Sequence, residues 1–492
     1  MEAARQRVAQ VRRLGVLAAA LLLAGCGSSS PSPPHGGPTL RLALPVLPRT
    51  LDPARVADLP SLNVAHELYA GLTRFSGRGV EPDLAESWEH NADGSVWTFH
   101  LRKGLRWSDD RPIRAQEFRT AWLRALAPET HAALAGPALG IVRGARKFHA
   151  TGSGPVGVEA TDDRTLRVTL QHPVPWFDQL VGYPIAFPAP PRANAFSGPF
   201  RLASKNEGRL VLERNFNYWN ATAVRPSKLV LGTSTNGVDA ILPRGLAPPG
   251  LPWIETAPPV AGPGWKPLPT LSVNLLWMVT ARADLADPTT RAAIASLVGD
   301  ATLVGLVPRA MPGHDAITRG VGLVVTGQLE PMTLTLAYTT QDPEAEARVK
   351  AITAVLGRQG VSVEAVAFPT LARLVQAAGP PARSDIDLVL LGWSSKILDA
   401  YNIFDLFPCG SAFNVAQWCD PSYDALMRRT VRTLDAPARY RLERQLLAGK
   451  LRPAVPAVPL SEQVEHVHIA HGVRGFRWSP IGFYELMGMT RS

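Results

Sequence analysis

Three observations predict an α/β fold for this chain of 492 residues. Strand-like and helix-like patterns alternate in the second half, most regularly between residues 334 and 391, which is typical of parallel strands joined by helices. The composition, 46% hydrophobic and 19% charged, is that of a folded protein with enough chain for two or three cores. No run of 18 apolar residues follows residue 25, so the body of the chain is not predicted to span a membrane.

The first half predicts strands separated by turns, with two helices. Helix-like apolar spacing after a Ser N-cap candidate favours a helix over residues 61–71, and a second helix is predicted over residues 115–126. Asp93-Gly94 and Asp162-Asp163 are turn signals ahead of two strands. The predicted strands cover residues 40–45, 96–101, 165–170 and 210–214.

The second half predicts a strand, helix, strand, helix, strand unit. Its strands cover residues 334–338, 361–366 and 386–391, and its helices cover residues 343–356 and 371–378. A Pro stands near the start of the first of these helices, and Gly357 and Gly360 follow its end, which is the usual distribution of these two residue types.

The N-terminus has the organisation of an export signal. Four Arg residues precede a short apolar run over residues 14–24, and Leu-Ala-Gly-Cys closes it at Cys26. This closing motif resembles the lipobox of bacterial lipoproteins, which implies a signal peptide over residues 1–25 and lipid on Cys26. The alternative is an ordinary secretory signal with an incidental Cys26. Residues 26–39 are rich in Ser, Pro and Gly and predict a flexible tether, so we expect the body to lie outside the cytoplasm, at a membrane surface.

Charge and motifs exclude several function classes. The net charge is +10, and removing residues 1–25, with four Arg and one Glu, leaves +7. The basic residues are scattered, so nucleic-acid binding is not predicted. The chain has no phosphate-binding loop, zinc-protease motif or nucleophile elbow, and we predict neither an enzyme nor a cofactor. His466, His468 and His471 cluster, and His466 and His468 would share one strand face at a spacing that metal ligands can have. Surface or packed histidines near a strand end are the simpler interpretation, and no metal site is predicted.

Two further cysteines, Cys409 and Cys419, are ten positions apart. Outside the reducing cytosol such a pair predicts a disulfide that closes one loop. A metal site is the alternative, but it lacks nearby His or further Cys ligands.

An ordered series of motifs carries a family resemblance. The motifs include Leu-Asp-Pro at 51–53, Glu-Pro-Asp-Leu-Ala-Glu-Ser-Trp at 81–88, Gly-Pro-Phe-Arg-Leu at 198–202, Gly-Trp at 392–393 and Cys-Asp-Pro-Ser-Tyr-Asp-Ala-Leu-Met at 419–427. Together they resemble solute-binding protein family 5 of ABC importers, the oligopeptide- and dipeptide-binding proteins. Trp97, Phe99 and Trp107, with Trp88, most simply build an aromatic core.

The resemblance implies a two-lobe clamp of the periplasmic-binding-protein type (type II), α/β in each lobe, with an extra domain inserted in the first lobe. Ligand would bind between the lobes, and closure would bury it. Carried onto this chain, the hinge crossings fall near Pro269 and Ser461. The predicted parts are lobe I at 40–80, 185–268 and 462–492, the inserted domain at 81–184, and lobe II at 269–461.

The same resemblance points to site residues and to departures from the family. Trp393 is expected to form a wall of the cleft, with Ser394, Lys396 and Asp399 around it, and Asp52 is expected to contribute from the opposite lobe. In peptide-binding relatives an Asp that meets the ammonium group of the peptide stands where this chain has Lys396. Leu390 stands where one oligopeptide binder has an Arg for the carboxylate of short peptides, and the segment between Val307 and Leu329 is shorter than usual.

Two functions follow from these expectations. The first is a monomeric, lipid-anchored receptor that binds a peptide or another small solute and delivers it to the permease subunits of an ABC importer. The second is a lipoprotein on the same fold that no longer feeds a transporter and acts as an envelope regulator or sensor.

Overall fold

The computed structural model describes residues 36–77, 79–189, 194–206, 208–243, 262–300, 305–321, 329–379 and 385–492. Internal contacts divide the chain into residues 1–37 and residues 38–492, and everything below concerns the second, compact unit. The predicted signal peptide and Cys26 lie outside the described residues. In the described part, no helix is long and apolar enough to cross a membrane.

The unit mixes helices and strands. The described helices are α1 (Leu59–Leu68), α2 (Ala115–Leu126), α3 (Ala135–Leu139), α4 (Ala145–Thr151), α5 (Phe177–Leu180), α6 (Pro288–Val298), α7 (His314–Thr318), α8 (Ala345–Gly357), α9 (Leu371–Ala378), α10 (Tyr401–Phe404), α11 (Pro421–Val431), α12 (Ala436–Leu446) and α13 (Arg452–Ala454). The described strands are β1 (Thr39–Ala43), β2 (Thr73–Ser76), β3 (Gly79–Pro82), β4 (Ala85–His90), β5 (Val96–Leu101), β6 (Val158–Ala160), β7 (Thr165–Thr169), β8 (Phe200–Asn206), β9 (Arg209–Arg214), β10 (Lys228–Gly232), β11 (Ala240–Ile241), β12 (Trp265–Met278), β13 (Met332–Thr339), β14 (Val361–Phe368), β15 (Leu388–Ser394), β16 (Ala457–Ile469), β17 (Val473–Arg474), β18 (Arg477–Trp478), β19 (Tyr484–Glu485) and β20 (Thr490–Arg491).

A large sheet runs through the unit. Within the described residues its strand order is β14-β13-β15-β12-β16-β11-β1-β10-β9-β8. β13 pairs in parallel with β14 and with β15, and α8 and α9 connect these strands along the chain. The α/β prediction with parallel pairing is therefore confirmed for this part of the chain.

Two long antiparallel strands, β12 and β16, join the two ends of this sheet. The first part of β12 pairs with the last part of β16, beside β11, whereas the second part of β12 also pairs with β15. The register of the β12–β16 pair shifts between Pro269 and Val273 and again between Asn274 and Leu275. A bulge locally loosens a ladder and bends its strand. The predicted hinge crossings near Pro269 and Ser461 fall in this irregular stretch.

Helix α1 lies inside the protein. The Asp58 carboxylate accepts the Ser61 N–H at 2.9 Å, and Pro60 stands in the first turn, so the helix begins two residues before the predicted start. Nearly all of its residues are buried, because side chains from several parts of the chain pack around it.

A separate four-stranded sheet, β4-β5-β7-β6, packs against α2 in the predicted inserted domain. Trp97, Phe99 and Trp107 are buried in one apolar core, and Trp88 packs against it while partly exposed. The aromatic-core prediction is confirmed. The borders predicted for the lobes and for the inserted domain stay predictions.

Candidate functional site

The segment that follows β15 leaves the central sheet and reaches the predicted inserted domain. The Tyr183 hydroxyl donates to the carbonyl oxygen of Lys396 at 2.7 Å, and the Leu398 N–H donates to Oε1 of Gln179 at 2.6 Å. Farther on, the rings of Tyr401 and Trp176 lie 4.5 Å apart between centroids. The backbone of this segment is therefore held by residues about 200 positions earlier in the chain.

A cavity of about 100 Å³ lies beside Lys396. One wall comes from the predicted first lobe and consists of Leu59, Leu62, Ile185, Ile481 and Phe483. Another wall comes from the predicted inserted domain and includes Leu134, Ala138, Leu180 and Tyr183. Lys396 contributes from the predicted second lobe and is the one charged side chain among the described residues that line the cavity. Residues of both predicted lobes and of the predicted inserted domain therefore meet at one mainly apolar space.

Stacked and edge-on rings support one side of this cavity. The Phe483 ring lies 5.3 Å from the Tyr183 ring and 5.1 Å from the Phe75 ring, the second pair being stacked. Such ring pairs add specific geometry to the burial of apolar area. Because the Tyr183 hydroxyl is engaged with the carbonyl of Lys396, this aromatic side of the cavity is tied to the segment that carries the lysine.

Lys396 is partly buried, and burial lowers the pKa of its ammonium group to about 8. The cause is the loss of water around the charged form. The backbone N–H of Lys396 donates to Oδ1 of Asn402 at 2.9 Å, so both backbone polar groups of this residue have partners. At neutral pH the amine remains mostly protonated, and it brings a positive charge to the wall of an apolar space.

Asp399 is almost completely buried and does not line the cavity. One of its carboxylate oxygens accepts two N–H groups of Arg439, at 2.8 and 2.7 Å, and the other accepts the Tyr401 N–H at 3.0 Å. The guanidinium of Arg439 also donates to the carbonyl of Leu434 at 3.0 Å. The geometry favours a role for Asp399 as an internal anchor of this segment, and its predicted contact with ligand stays a prediction.

Trp393 and Ser394 form the end of β15, where they pair with Val273 and Ser272 of β12. The Trp393 ring lies 5.6 Å from the ring of Phe413, a side chain that is 55% exposed. Its indole N–H is buried and has no hydrogen-bond partner in the described part of the chain. Trp393 thus has an aromatic ring beside an exposed side chain and a donor that is buried, and neither Trp393 nor Ser394 lines the cavity.

Asp52 lies in a turn before α1 and is ion-paired to Arg124 of α2, one of the two hydrogen bonds measuring 2.9 Å. The same carboxylate accepts the Ala54 N–H at 3.1 Å. Burial raises the pKa of Asp52, but the hydrogen bonds and charge of Arg124 outweigh this effect and lower it overall. Of the five predicted ligand residues, Lys396 alone lines the cavity, and the structure does not bring Asp52 to it.

The loop after α10 is closed by a disulfide between Cys409 and Cys419, whose Cα atoms lie 4.7 Å apart. The next residue, Asp420, caps α11 by accepting the Ser422 N–H at 2.8 Å. Among the described residues, no group of three or more His, Cys, Asp or Glu side chains could hold a metal ion.

The apolar lining of the cavity was missed by reasoning from the sequence. Leu59, Leu134, Leu180 and Phe483 lie far apart in the sequence, and each is an apolar residue of a type that is most often found in a core. The one usable signal was the Gly-Trp motif at residues 392–393, which pointed to Lys396.

Comparison with known proteins identifies relatives of this chain. The family model described as "Bacterial extracellular solute-binding proteins, family 5 Middle" matches residues 79–321. The "Probable deoxycholate-binding periplasmic protein YgiS" of Escherichia coli is 42% identical over 152 residues, which are 29% of this chain and 28% of that protein. The "Periplasmic oligopeptide-binding protein OppA" of Escherichia coli is 36% identical over 192 residues, 35% of either chain. The chain thus matches about a third of the length of these curated relatives.

The structural likeness extends much farther. The unliganded open form of the periplasmic murein tripeptide binding protein MppA matches with a TM-score of 0.78 at 20% identity, over 92% of this chain and 97% of that one. At this identity the likeness shows the fold. The α/β clamp with two lobes that the motifs predicted is therefore confirmed.

Proposed function

We propose that this chain, which belongs to the bacterial extracellular solute-binding proteins of family 5, is the solute receptor of an ABC importer. The observation that carries the proposal is the cavity beside Lys396, because residues from both predicted lobes and from the inserted domain line it. A ligand held there would contact parts of the chain that move relative to one another when a clamp closes. The chain itself would supply binding and no catalysis.

A location outside the cytoplasm is proposed from the N-terminal sequence. Cleavage before Cys26 and lipid on this residue would anchor the body outside the cytoplasm, on the periplasmic or cell-surface side, through the tether over residues 26–39. The receptor would act as a monomer that passes its solute to separate permease subunits. Labelling with a radioactive fatty acid, abolished by Cys26→Ser, would support the anchor, and unchanged labelling would contradict it.

The solute is proposed to be a peptide or another small molecule. One relative is named for deoxycholate and another for oligopeptides, so these two relatives leave both solute classes open. Trp393 and Ser394 are proposed as a nearby wall with backbone partners, and Lys396 as the charged group. Asp399 and Asp52 are proposed to act by holding the segments beside the site through Arg439 and Arg124.

Closure is proposed to bend β12 and β16 near Pro269 and Ser461. The register shifts in this pair leave the ladder irregular where the two ends of the sheet meet. On this proposal lobe II, over residues 269–461, swings against lobe I and the inserted domain over residues 81–184. Small-angle scattering with and without ligand would show a smaller radius of gyration with ligand, and an unchanged radius would contradict the closure.

Native mass spectrometry tests the receptor function. Residues 27–492, which include the whole compact unit, would be purified without added ligand and weighed intact. A discrete excess mass, or a thermal shift with pools of peptides and other small solutes, is the expected result. An empty protein that no pool stabilises would contradict the proposal and would favour a lipoprotein that acts as an envelope regulator or sensor.

A further inference from the structure

We infer that the helices α11 and α12 dock on the anionic surface of a membrane through a cluster of exposed arginines. The cluster, the arginine face, consists of Arg428, Arg429, Arg432, Arg441 and Arg444. The inference goes beyond the proposed function, because it concerns how the second lobe is oriented on a membrane and not which solute the receptor binds.

Two packed helices carry the arginine face. Residues 432–435 join α11 to α12, and the two helices contact each other, as in a helical hairpin. Each helix turns one side inward, and the buried side chains include Tyr423, Met427, Leu442 and Leu446. The arginines lie on the sides that face solvent. Arg428 and Arg432 are four positions apart, and Arg441 and Arg444 are three apart, so each pair shares one side of its helix.

The charge of the arginine face is not neutralised within the protein. Among the described residues, none of its five side chains takes part in an ion pair or accepts a partner for its guanidinium N–H groups. Arg439, on the buried side of α12, is by contrast paired with Asp399, and Lys450 is paired with Asp420. The guanidinium groups of the face are therefore available to an external anion.

The acidic residues of the hairpin do not offset this charge. Residues 421–446 hold six arginines and three acidic residues. Glu443 is completely buried, and Asp424 and Asp435 each accept a backbone N–H, at 3.1 and 2.8 Å. α7, which packs on α12, brings the exposed Asp315 together with the exposed Arg319 and so adds no net charge. The outer side of the hairpin therefore keeps an excess of positive charge.

An anionic bilayer is the partner that fits this face. A guanidinium group can donate two parallel hydrogen bonds to one phosphate, the group that lipid headgroups present. Each arginine that reaches a negatively charged membrane surface strengthens binding by about fivefold. The proposed lipid on Cys26 and the tether over residues 26–39 would hold the body close to such a surface, so that a weak attraction is enough to orient it. An acidic protein surface offers the same charge, but nothing in this chain would hold it nearby.

Sedimentation with lipid vesicles tests the inference on residues 27–492, which lack Cys26 and its lipid. The probes are vesicles of phosphatidylcholine alone and vesicles of phosphatidylcholine mixed with the anionic phosphatidylglycerol. We expect the protein to bind the mixed vesicles only. The binding should weaken as the salt concentration rises, because salt screens interactions between exposed charges.

A combined variant assigns the binding to the arginine face. Arg428→Gln, Arg441→Gln and Arg444→Gln together remove three charges, and they should weaken binding to the mixed vesicles by at least about 10-fold. Because the three side chains are exposed, the substitutions should leave the fold intact. A thermal midpoint within a few degrees of that of the parent protein confirms this.

The matched control removes the same charge from other exposed positions. Lys147→Gln, Lys350→Gln and Arg373→Gln lie on α4, α8 and α9, outside the hairpin. Charges that do not reach the membrane are screened from it, so this variant should weaken binding by less than about 3-fold. Its thermal midpoint is checked in the same way.

The outcomes decide the inference independently of the proposed function. If the parent protein does not bind the mixed vesicles at low salt, or binds both kinds of vesicle equally, the inference is wrong. If the two variants lose the same affinity, the attraction belongs to the net charge of the chain and the inference is wrong. If vesicles do not bind but the arginine substitutions alone slow solute uptake by cells, the face fits an acidic protein and the membrane inference is overturned. The receptor function is decided separately, by solute binding to the parent protein in native mass spectrometry.

Discussion

Glu67 of α1 provides a sharp test of how burial controls the stability of this protein. Its side chain is 2% exposed and borders a small cavity of about 30 Å³ that Arg74, Asp83 and Tyr484 also line. One carboxylate oxygen accepts the Leu486 N–H at 2.9 Å, and the other has no partner among the described residues. Burial raises the pKa of Glu67 to about 8, and the charge of Glu485 adds to this effect.

The sign and size of the effect follow from linkage. The pKa of Glu67 is about 8 in the folded chain and 4.5 as the ordinary value, so the folded state holds a proton that the unfolded state releases. The stability that the protonated Glu67 side chain gives the folded state is complete below about pH 4.5. It is lost as pH rises from there through 8, because the free energy of unfolding falls by roughly 1.4 kcal/mol per pH unit. At pH 7 the ionisable carboxyl therefore costs the folded state about 3 kcal/mol, whereas at pH 5 it costs about 1 kcal/mol.

Glu67→Gln removes this ionisation and keeps an oxygen for the Leu486 N–H. We expect the variant to be more stable than the parent by about 3 kcal/mol at pH 7 and by about 1 kcal/mol or less at pH 5. If the compact unit unfolds as a whole, this gain raises the thermal midpoint by about 3 °C at pH 7. Differential scanning calorimetry at both pH values measures it.

The matched control is Glu129→Gln, which removes an exposed carboxylate. It should change the thermal midpoint little and equally at the two pH values. The reasoning would be refuted if Glu67→Gln had the same midpoint as the parent at pH 7, or if its gain were as large at pH 5 as at pH 7. Burial would then not control the protonation of Glu67.

Three further predictions follow from the described contacts. Arg439→Met leaves the buried carboxylate of Asp399 without its ion pair and should lower the free energy of unfolding in urea by about 3–5 kcal/mol. Arg441→Met replaces an exposed arginine on the same helix and should change this free energy little. Equal losses in the two variants would contradict the anchoring role of Asp399. Replacing Cys409 and Cys419 by Ser should lower the free energy of unfolding by about 3 kcal/mol. A reductant should destabilise the parent protein but not this variant. Free thiols in non-reducing peptide mapping of the parent protein would show that the disulfide is absent. Lys396→Asp should raise the affinity for peptides with free N-termini in calorimetry but not for their N-acetylated forms; an unchanged affinity would mean that Lys396 does not face the ligand end.

Most elements of the fold could be predicted because their signals are local. The strand over Val361–Phe368 and the helix over Leu371–Ala378 match the predicted segments closely, since residue spacing and flanking glycines report on the nearest turns of the chain. The end of β15 was predicted three residues too early. Trp393 and Ser394 belong to the strand because they pair with β12, a partner more than 100 positions away.

The candidate site could be predicted only in part. Lys396 was identified by its place after the Gly-Trp motif, and the structure puts it on the cavity wall. Asp399 came from the same motif, but Arg439 occupies its carboxylate from 40 positions away. Asp52 is likewise taken by Arg124, 72 positions away. The sequence names the charged groups but not their partners, because the path of the chain decides which charges meet.

The sequence by itself determined the α/β class, the aromatic core, the family resemblance and the position of one unusual lysine, since these depend on local spacing and on ordered motifs. The tertiary structure alone decided that Leu59, Leu134, Leu180 and Phe483 enclose one cavity with Lys396. Each of these side chains is apolar and of a type that is most often found in a core. Whether such a residue fills the interior or borders a cavity depends on how segments that are distant in the sequence pack against one another.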